Sequence, residues 1–230
     1  FFIAFAVGAQ DVNLDSLLDA EMNKKGKEET KYVDATFKST RLINGHSVET
    51  TQKGVLDFRI SHRFGTLNQG LYALFGLDNA SMRMSFDYGI TNRLSVGVGR
   101  STFEKQYDGF LKYRLLWQSE GRHNMPVSVT WVSGIMARTL KYADTLKRQS
   151  SDKWSYSHQL VIARKFSSDF SLQLMPALVH YNIVPTSSIS NDQYALGIGG
   201  RIKISKRVAL NAEYYYVLNN EKMPGTYNSL

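Results

Sequence analysis

Residues 81–90 read SMRMSFDYGI. Met82, Met84, Phe86, Tyr88 and Ile90 take every second position, and Ser81, Arg83, Ser85, Asp87 and Gly89 fill the gaps. A period of two puts all the apolar side chains on one face of an extended strand and all the polar ones on the other. A helix needs a period near 3.6 and would scatter both classes around its circumference. This stretch is therefore a strand with one apolar and one polar face.

The alternation continues on both sides. Leu56, Phe58, Ile60 and Phe64 alternate with Asp57, Arg59, Ser61 and Arg63. Further on, Leu94, Val96 and Val98 alternate with Ser95, Gly97 and Gly99, and Leu196, Ile198, Ile202 and Ile204 with Gly197, Gly199, Arg201 and Lys203. Nine strands are expected, at 54–65, 80–90, 93–103, 107–117, 126–137, 154–166, 170–181, 192–204 and 207–217. They exceed the usual strand of about 5–6 residues. They match the roughly 9–11 tilted residues that a strand needs to cross a bilayer.

Tight turns at 91–92, 167–169 and 205–206 alternate with long connections at 66–79, 138–153 and 182–191, apart from a brief connection at 104–106 and a medium one at 118–125. Outer-membrane barrels have short periplasmic turns and longer extracellular loops. The expected fold is all-β, an antiparallel up-and-down transmembrane barrel of the outer membrane with ten to twelve strands when complete. Nine strands is an odd number, so a strand is expected beyond the C-terminal end of this sequence. Alternatively, residues 32–51 supply more strands, with 35–42 as one and Asn44-Gly45 as a hairpin turn. The same residues fit equally well inside the barrel.

The chain has 230 residues, no cysteine and a net charge of +8. Hydrophobic residues make up 43% and charged ones 21%, a folded rather than a disordered composition. Without cysteine there is no disulfide framework, thiolate metal site or cysteine nucleophile. Residues 1–9, FFIAFAVGA, read as the tail of a secretory signal peptide cleaved after Ala9. Residues 10–31 are expected to form a periplasmic helix, over 11–25 with Leu14, Leu17, Leu18 and Met22 at helical spacing, and a linker; a disordered tail is the alternative. The barrel domain then occupies 32–230.

Aromatic residues collect at strand ends, as amphipathic rings do at membrane interfaces. Tyr88, Trp117, Phe166 and Phe170 are expected at the periplasmic boundary, and Phe64, Phe103, Trp154, Tyr156 and Tyr194 at the extracellular one. Four residues break the apolar face: His62, Arg100, His158 and His180. All four lie toward the extracellular ends, where a charge costs only about 0–1 kcal/mol. The partners expected are membrane lipid and, for these four, either the phosphates of lipopolysaccharide or none beyond the interface itself.

The inward parity carries Arg59, Arg63, Arg83, Lys112, Arg114, Arg201 and Lys203 against Asp57, Asp87 and Glu213. Some of the cations must pair within the lumen, because a buried arginine needs a partner. The rest would line a narrow channel or binding site for a small anionic solute. A lumen filled by side chains, in a barrel that acts as a scaffold or binds through its loops, is the alternative. A soluble lipocalin-like barrel would need the opposite pattern, apolar inside and polar outside.

No enzymatic chemistry is expected. The five histidines have no metal-ligand spacing, and there is no GxSxG motif, P-loop or dinucleotide fingerprint. Ser157 and His158 are adjacent, so their side chains point to opposite faces. Gly97 and Gly99 fit a crowded lumen better than a phosphate cradle. Cofactors are not expected. Nor is nucleic-acid binding, since the basic residues are spread over several strands rather than gathered in one run with aromatics.

The stretch at 33–65, VDATFKSTRLINGHSVETTQKGVLDFRISHRFG, resembles a Bacteroidota family, a membrane-bound β-barrel domain of unknown function (DUF5777). So do LFGLDNASMR at 74–83, DYGITNRLSVGVGRS at 87–101 and YDGFLKYRLL at 107–116. The resemblance runs from about Tyr32 to Tyr216. It implies an outer-membrane barrel and a longer C-terminus, and it carries no substrate, cofactor or catalytic residue.

Overall fold

The computed structural model describes residues 29–65, 67–140 and 149–223, with 67–69 as backbone only. The leader expected at 1–9 and the helix expected at 11–25 lie outside the described residues. The strands are β1 (Lys31–Tyr32), β2 (Leu56–Arg63), β3 (Ser81–Gly89), β4 (Leu94–Ser101), β5 (Tyr107–Leu116), β6 (Ser119–Glu120), β7 (Ser128–Ala137), β8 (Trp154–Lys165), β9 (Phe170–Tyr181), β10 (Asp192–Lys203) and β11 (Ala209–Val217). Nine of them form one antiparallel sheet in the order β2-β3-β4-β5-β7-β8-β9-β10-β11. β1 and β6 pair separately, Tyr32 opposite Ser119. Each long strand pairs with the next long strand in sequence, the up-and-down topology that the hairpin pattern predicts. Among the described residues the outer edges of β2 and β11 have no partner, so the sheet is not closed.

Tight turns at one end of the sheet are set by hydroxyl side chains. Thr91 Oγ1 accepts from the Arg93 and Leu94 amides, Ser167 Oγ from Asp169 and Phe170, and Ser205 Oγ from Arg207 and Val208. Each hydroxyl satisfies amides that the ladder cannot reach, which is why a Ser or Thr opens each turn. The connection between β5 and β7, which carries β6, lies at this same end. The opposite end carries the 3-10 segment Leu67–Asn79 and the connections after β4, β7 and β9.

Exposure along the strands is inverted relative to a soluble sheet. Phe58 and Ile198 are each 52% exposed and Val98 is 62% exposed, whereas Lys112 is 1% and Asp87 2% exposed. While β7, β8 and β9 also turn Val132, Val161, Ala163 and Met175 inward, on most of the long strands the polar side faces inward and the apolar side outward. That is the pattern of a membrane barrel. It removes the lipocalin-like alternative, which needs an apolar interior.

Residues 33–53 settle the question left open by the sequence: they lie inside. Val33 donates its amide to the Gln118 carbonyl at 2.8 Å, and at the far end of the segment Gly54 donates to Gly89 at 2.8 Å. Both anchors are at the tight-turn end. Between them the chain rises into the lumen and folds back as a hairpin, Arg41 bridging His46. The turn closes through Leu42 N–H to Gly45 C=O at 3.0 Å, so Ile43 and Asn44 are its central residues. A Cβ on Gly45 would strike the Tyr215 hydroxyl and the Glu213 carboxylate, so the tip needs glycine for close approach.

The contacts of this hairpin also show that the sheet is curved. Thr40 accepts from Arg59 on β2, and the amides of residues 43–45 bond Glu213 on β11. A flat sheet would put those outer strands about 38 Å apart at 4.8 Å per strand. Five consecutive residues reach across only about 14 Å. The sheet therefore wraps around the hairpin. The small apolar core also sits there: Phe37 and Val48 of the hairpin pack with Val132, Val161, Ala163 and Met175 of the wall.

Candidate functional site

The lumen holds most of the inward-facing residues singled out in the sequence. Lys112, on β5, is 1% exposed, and its ammonium donates to the Thr40 carbonyl at 3.1 Å and to the Glu49 carbonyl. One side chain thus ties both arms of the hairpin to the wall. Two residues along the strand, Arg114 pairs with the Glu49 carboxylate at 2.7 Å and donates to the Val48 carbonyl at 3.3 Å. From β7, the Thr130 hydroxyl donates to the same Val48 carbonyl at 2.8 Å. From β9, the Gln173 amide donates to the His46 carbonyl at 3.1 Å.

Glu213 closes the set from the opposite wall. Its carboxylate accepts from the amides of Ile43, Asn44 and Gly45, the last at 2.9 Å. Three consecutive N–H groups converging on one carboxylate form an anion nest, here filled by the protein's own acid. Arg83 makes a two-pronged pair with Asp108, with Nε to Oδ1 at 2.9 Å. Arg59 pairs with Asp57 at 2.7 Å. Asp87 has one buried oxygen without a hydrogen-bond partner, and Arg41, Arg59 and Arg83 supply counter-charge through space. Gly97 and Gly99 make room for this cluster: a Cβ at Gly97 would overlap the Phe110 ring, and one at Gly99 the Arg83 guanidinium.

The inward set is wider than strand parity shows, and in both signs: the hairpin adds Arg41 near Asp87, and two further acids join Asp57, Asp87 and Glu213. Counting only Asp57, Asp87 and Glu213 as acids omits Asp108, which shares the inward parity of Lys112 and Arg114 and was legible. It also omits Glu49, which no periodicity marks, since it reaches the wall from the hairpin. Lys203 lies 3.6 Å from Asp169 in a tight turn. Arg63 sits exposed at the long-loop end of β2. Arg201 faces inward near the tight-turn end with no carboxylate partner among the described residues.

Trp117 is a correction. Alternation along β5 would point it outward, into an aromatic girdle. A β-bulge between Arg114 and Leu116 inserts one residue and reverses the parity. Trp117 therefore turns inward, donates its indole N–H to the Val33 carbonyl at 2.9 Å, and takes the Arg114 guanidinium over its ring at 4.2 Å. The other aromatics expected at the interfaces stand near strand ends: Phe64, Tyr88, Phe103, Tyr156, Phe166, Phe170 and Tyr194 are exposed, and Trp154 is half-buried.

Ser133 lies directly opposite His158 in the β7–β8 ladder, yet no hydrogen bond joins them and the imidazole stacks on Trp131 at 6.2 Å. His180 pairs instead with Asp192 at 2.7 Å. Among the described residues no cluster of His, Asp or Glu has metal-binding geometry. His46 is in the lumen, edge-on to Phe110 at 4.7 Å. Burial, reinforced by Arg41, Lys112, Arg83 and Arg59, pushes its pKa well below the ordinary histidine value, so the ring is neutral.

With the polar lumen and apolar exterior established, the chain belongs to the family described as membrane bound beta barrel domain (DUF5777), which it matches over residues 37–230. No curated protein and no solved structure matches it.

Proposed function

We propose that this protein is an outer-membrane barrel stoppered by its own segment 33–53, and that it works as an envelope scaffold or loop-mediated binder rather than an open pore. The observation that carries this reading is the Lys112 ammonium, buried at mid-wall and bonded to both arms of the hairpin. A lysine removed from water is tolerated only where its donors are satisfied, so the hairpin and the wall form one unit. The tight turns then face the periplasm and the long loops the outside. His62, Arg100, His158 and His180 would meet lipopolysaccharide phosphates there. The reading includes no enzymatic step.

The second reading is a narrow channel for a small anionic solute. It is supported by a cavity of about 950 Å³ between the hairpin and β2, lined in part by Lys38, Lys53, Asp57 and Arg59. Single-channel recording of the full-length protein in a planar bilayer separates the two. The stoppered barrel gives no steady conductance as wild type and a steady one when residues 36–49 are replaced by a short Gly-Ser linker. Steady anion-selective conductance from the wild type would establish the channel instead.

A further inference from the structure

A second cavity, of about 450 Å³, opens at the tight-turn end between β8, β10, β11 and the start of the hairpin. Its lining includes Lys38, Lys165, Arg201, Lys203, Lys206 and Arg207 and no acidic residue. The ladder fixes part of this arrangement. Lys165 on β8 and Arg201 on β10 both pair with Ser171 on β9, so they stand in one inward row. Two strand spacings separate them, about 10 Å. Lys203 occupies the next inward position on β10, and Lys38 faces the row from the hairpin.

Among the described residues the fold engages only two of these six cations. Lys165 donates to the Asp34 carbonyl at 2.8 Å, and Lys203 lies 3.6 Å from the exposed Asp169 carboxylate. Arg201, Lys38, Lys206 and Arg207 have no acidic partner among the described residues. Like charges gathered around one cavity repel, and a concave wall concentrates their field. An anion of more than one charge relieves that repulsion. The volume lies within the usual range of small-ligand sites, roughly 300–1,000 Å³.

We propose that this cavity binds a compact phosphate-bearing polyanion. The Arg201 guanidinium matches the oxygens of a phosphate bidentately, while the lysines act as point charges around it. The ligand is either a soluble phosphate compound or the phosphate of an anionic lipid headgroup at the near leaflet. The site goes beyond the stoppered-barrel reading: it needs the start of the hairpin in place beside Lys165, Arg201 and Lys203 of the wall, but not a sealed lumen. A conducting wild type would remove that reading and leave this one in place.

The test is titration calorimetry of the full-length protein, in phosphatidylcholine nanodiscs, with inorganic pyrophosphate. Saturable binding is expected, weakened at least fivefold by Arg201→Gln and by Lys38→Gln, and unchanged by Arg122→Gln, an exposed cation at the same end. Each variant is first checked for heat-modifiable mobility, and Lys38→Gln leaves the wall strands intact. Adding phosphatidylglycerol assigns the source: competition with pyrophosphate identifies a lipid headgroup, and no competition a soluble ligand. Absence of saturable binding by folded wild-type protein would overturn the proposal. So would equal weakening by Arg122→Gln, which would reduce the effect to general surface charge.

Discussion

Lys112 at mid-height of β5 and Arg201 near the tight-turn end of β10 share the inward parity, and their sequence contexts look alike. Their surroundings differ. Lys112 is 1% exposed and tied to two hairpin carbonyls, and its neighbour Arg114 is paired with Glu49. Arg201 lines an open cavity with other cations around it. Mid-lumen charge is consumed in holding the hairpin, whereas charge at the tight-turn mouth is left available. Inward parity alone therefore does not tell a structural cation from a binding one. What separates them is whether the hairpin reaches that height with an acceptor.

Arg114→Ala breaks the comparison hardest. It removes a pair whose arginine is buried and strands Glu49 in the lumen. Losing one partner of a buried pair costs about 3–5 kcal/mol. Urea unfolding in folded micelles should report that loss, with Trp117 fluorescence shifting because the guanidinium over its ring is gone. An unchanged midpoint would mean that the hairpin does not depend on the wall.

Next comes Val48→Ala, at a residue 1% exposed between hairpin and wall. The cavity should cost about 2 kcal/mol. The same unfolding titration, combined with limited proteolysis of segment 33–53, should show the hairpin loosening while the strands persist.

Acidification is the third test. The His46 pKa in the folded chain lies below its unfolded value of about 6.5. The unfolded chain then binds the extra proton first. The stabilising contribution is complete above that unfolded value and declines as pH falls below it, by at most about 1.4 kcal/mol per pH unit. His46→Phe should flatten this part of the stability–pH curve. A curve identical to that of the wild type would take His46 out of the lumen.

Arg201→Gln sharpens the comparison by its small effect. With no carboxylate partner to lose, stability should stay within about 0.5 kcal/mol of wild type. A larger loss would make Arg201 another structural cation and weaken the case for a ligand site.

Most of the barrel was legible because its signal is local. Strand β3, expected at 80–90, spans Ser81–Gly89, and β9 coincides with its expected bounds at Phe170–Tyr181. A strand with one face in lipid must alternate, so each strand announces itself and its inward face. Trp117 was misplaced because one bulged residue shifts parity without altering composition. Glu49 was missed because a lumenal hairpin has no face in lipid and hence no imposed period.

The sequence by itself determined an antiparallel transmembrane sheet, its hairpin order, its polar inner face and the Ser and Thr residues that form its tight turns. These follow from interactions between residues one to three apart in the chain. Only the tertiary structure decided that residues 33–53 fill the lumen, which cations they neutralise and which they leave open. Those contacts join residues as far apart as Gly45 and Glu213, a separation of 168. Such pairs are chosen by the curvature of the sheet and the height of the hairpin, and neither quantity is written in a local pattern.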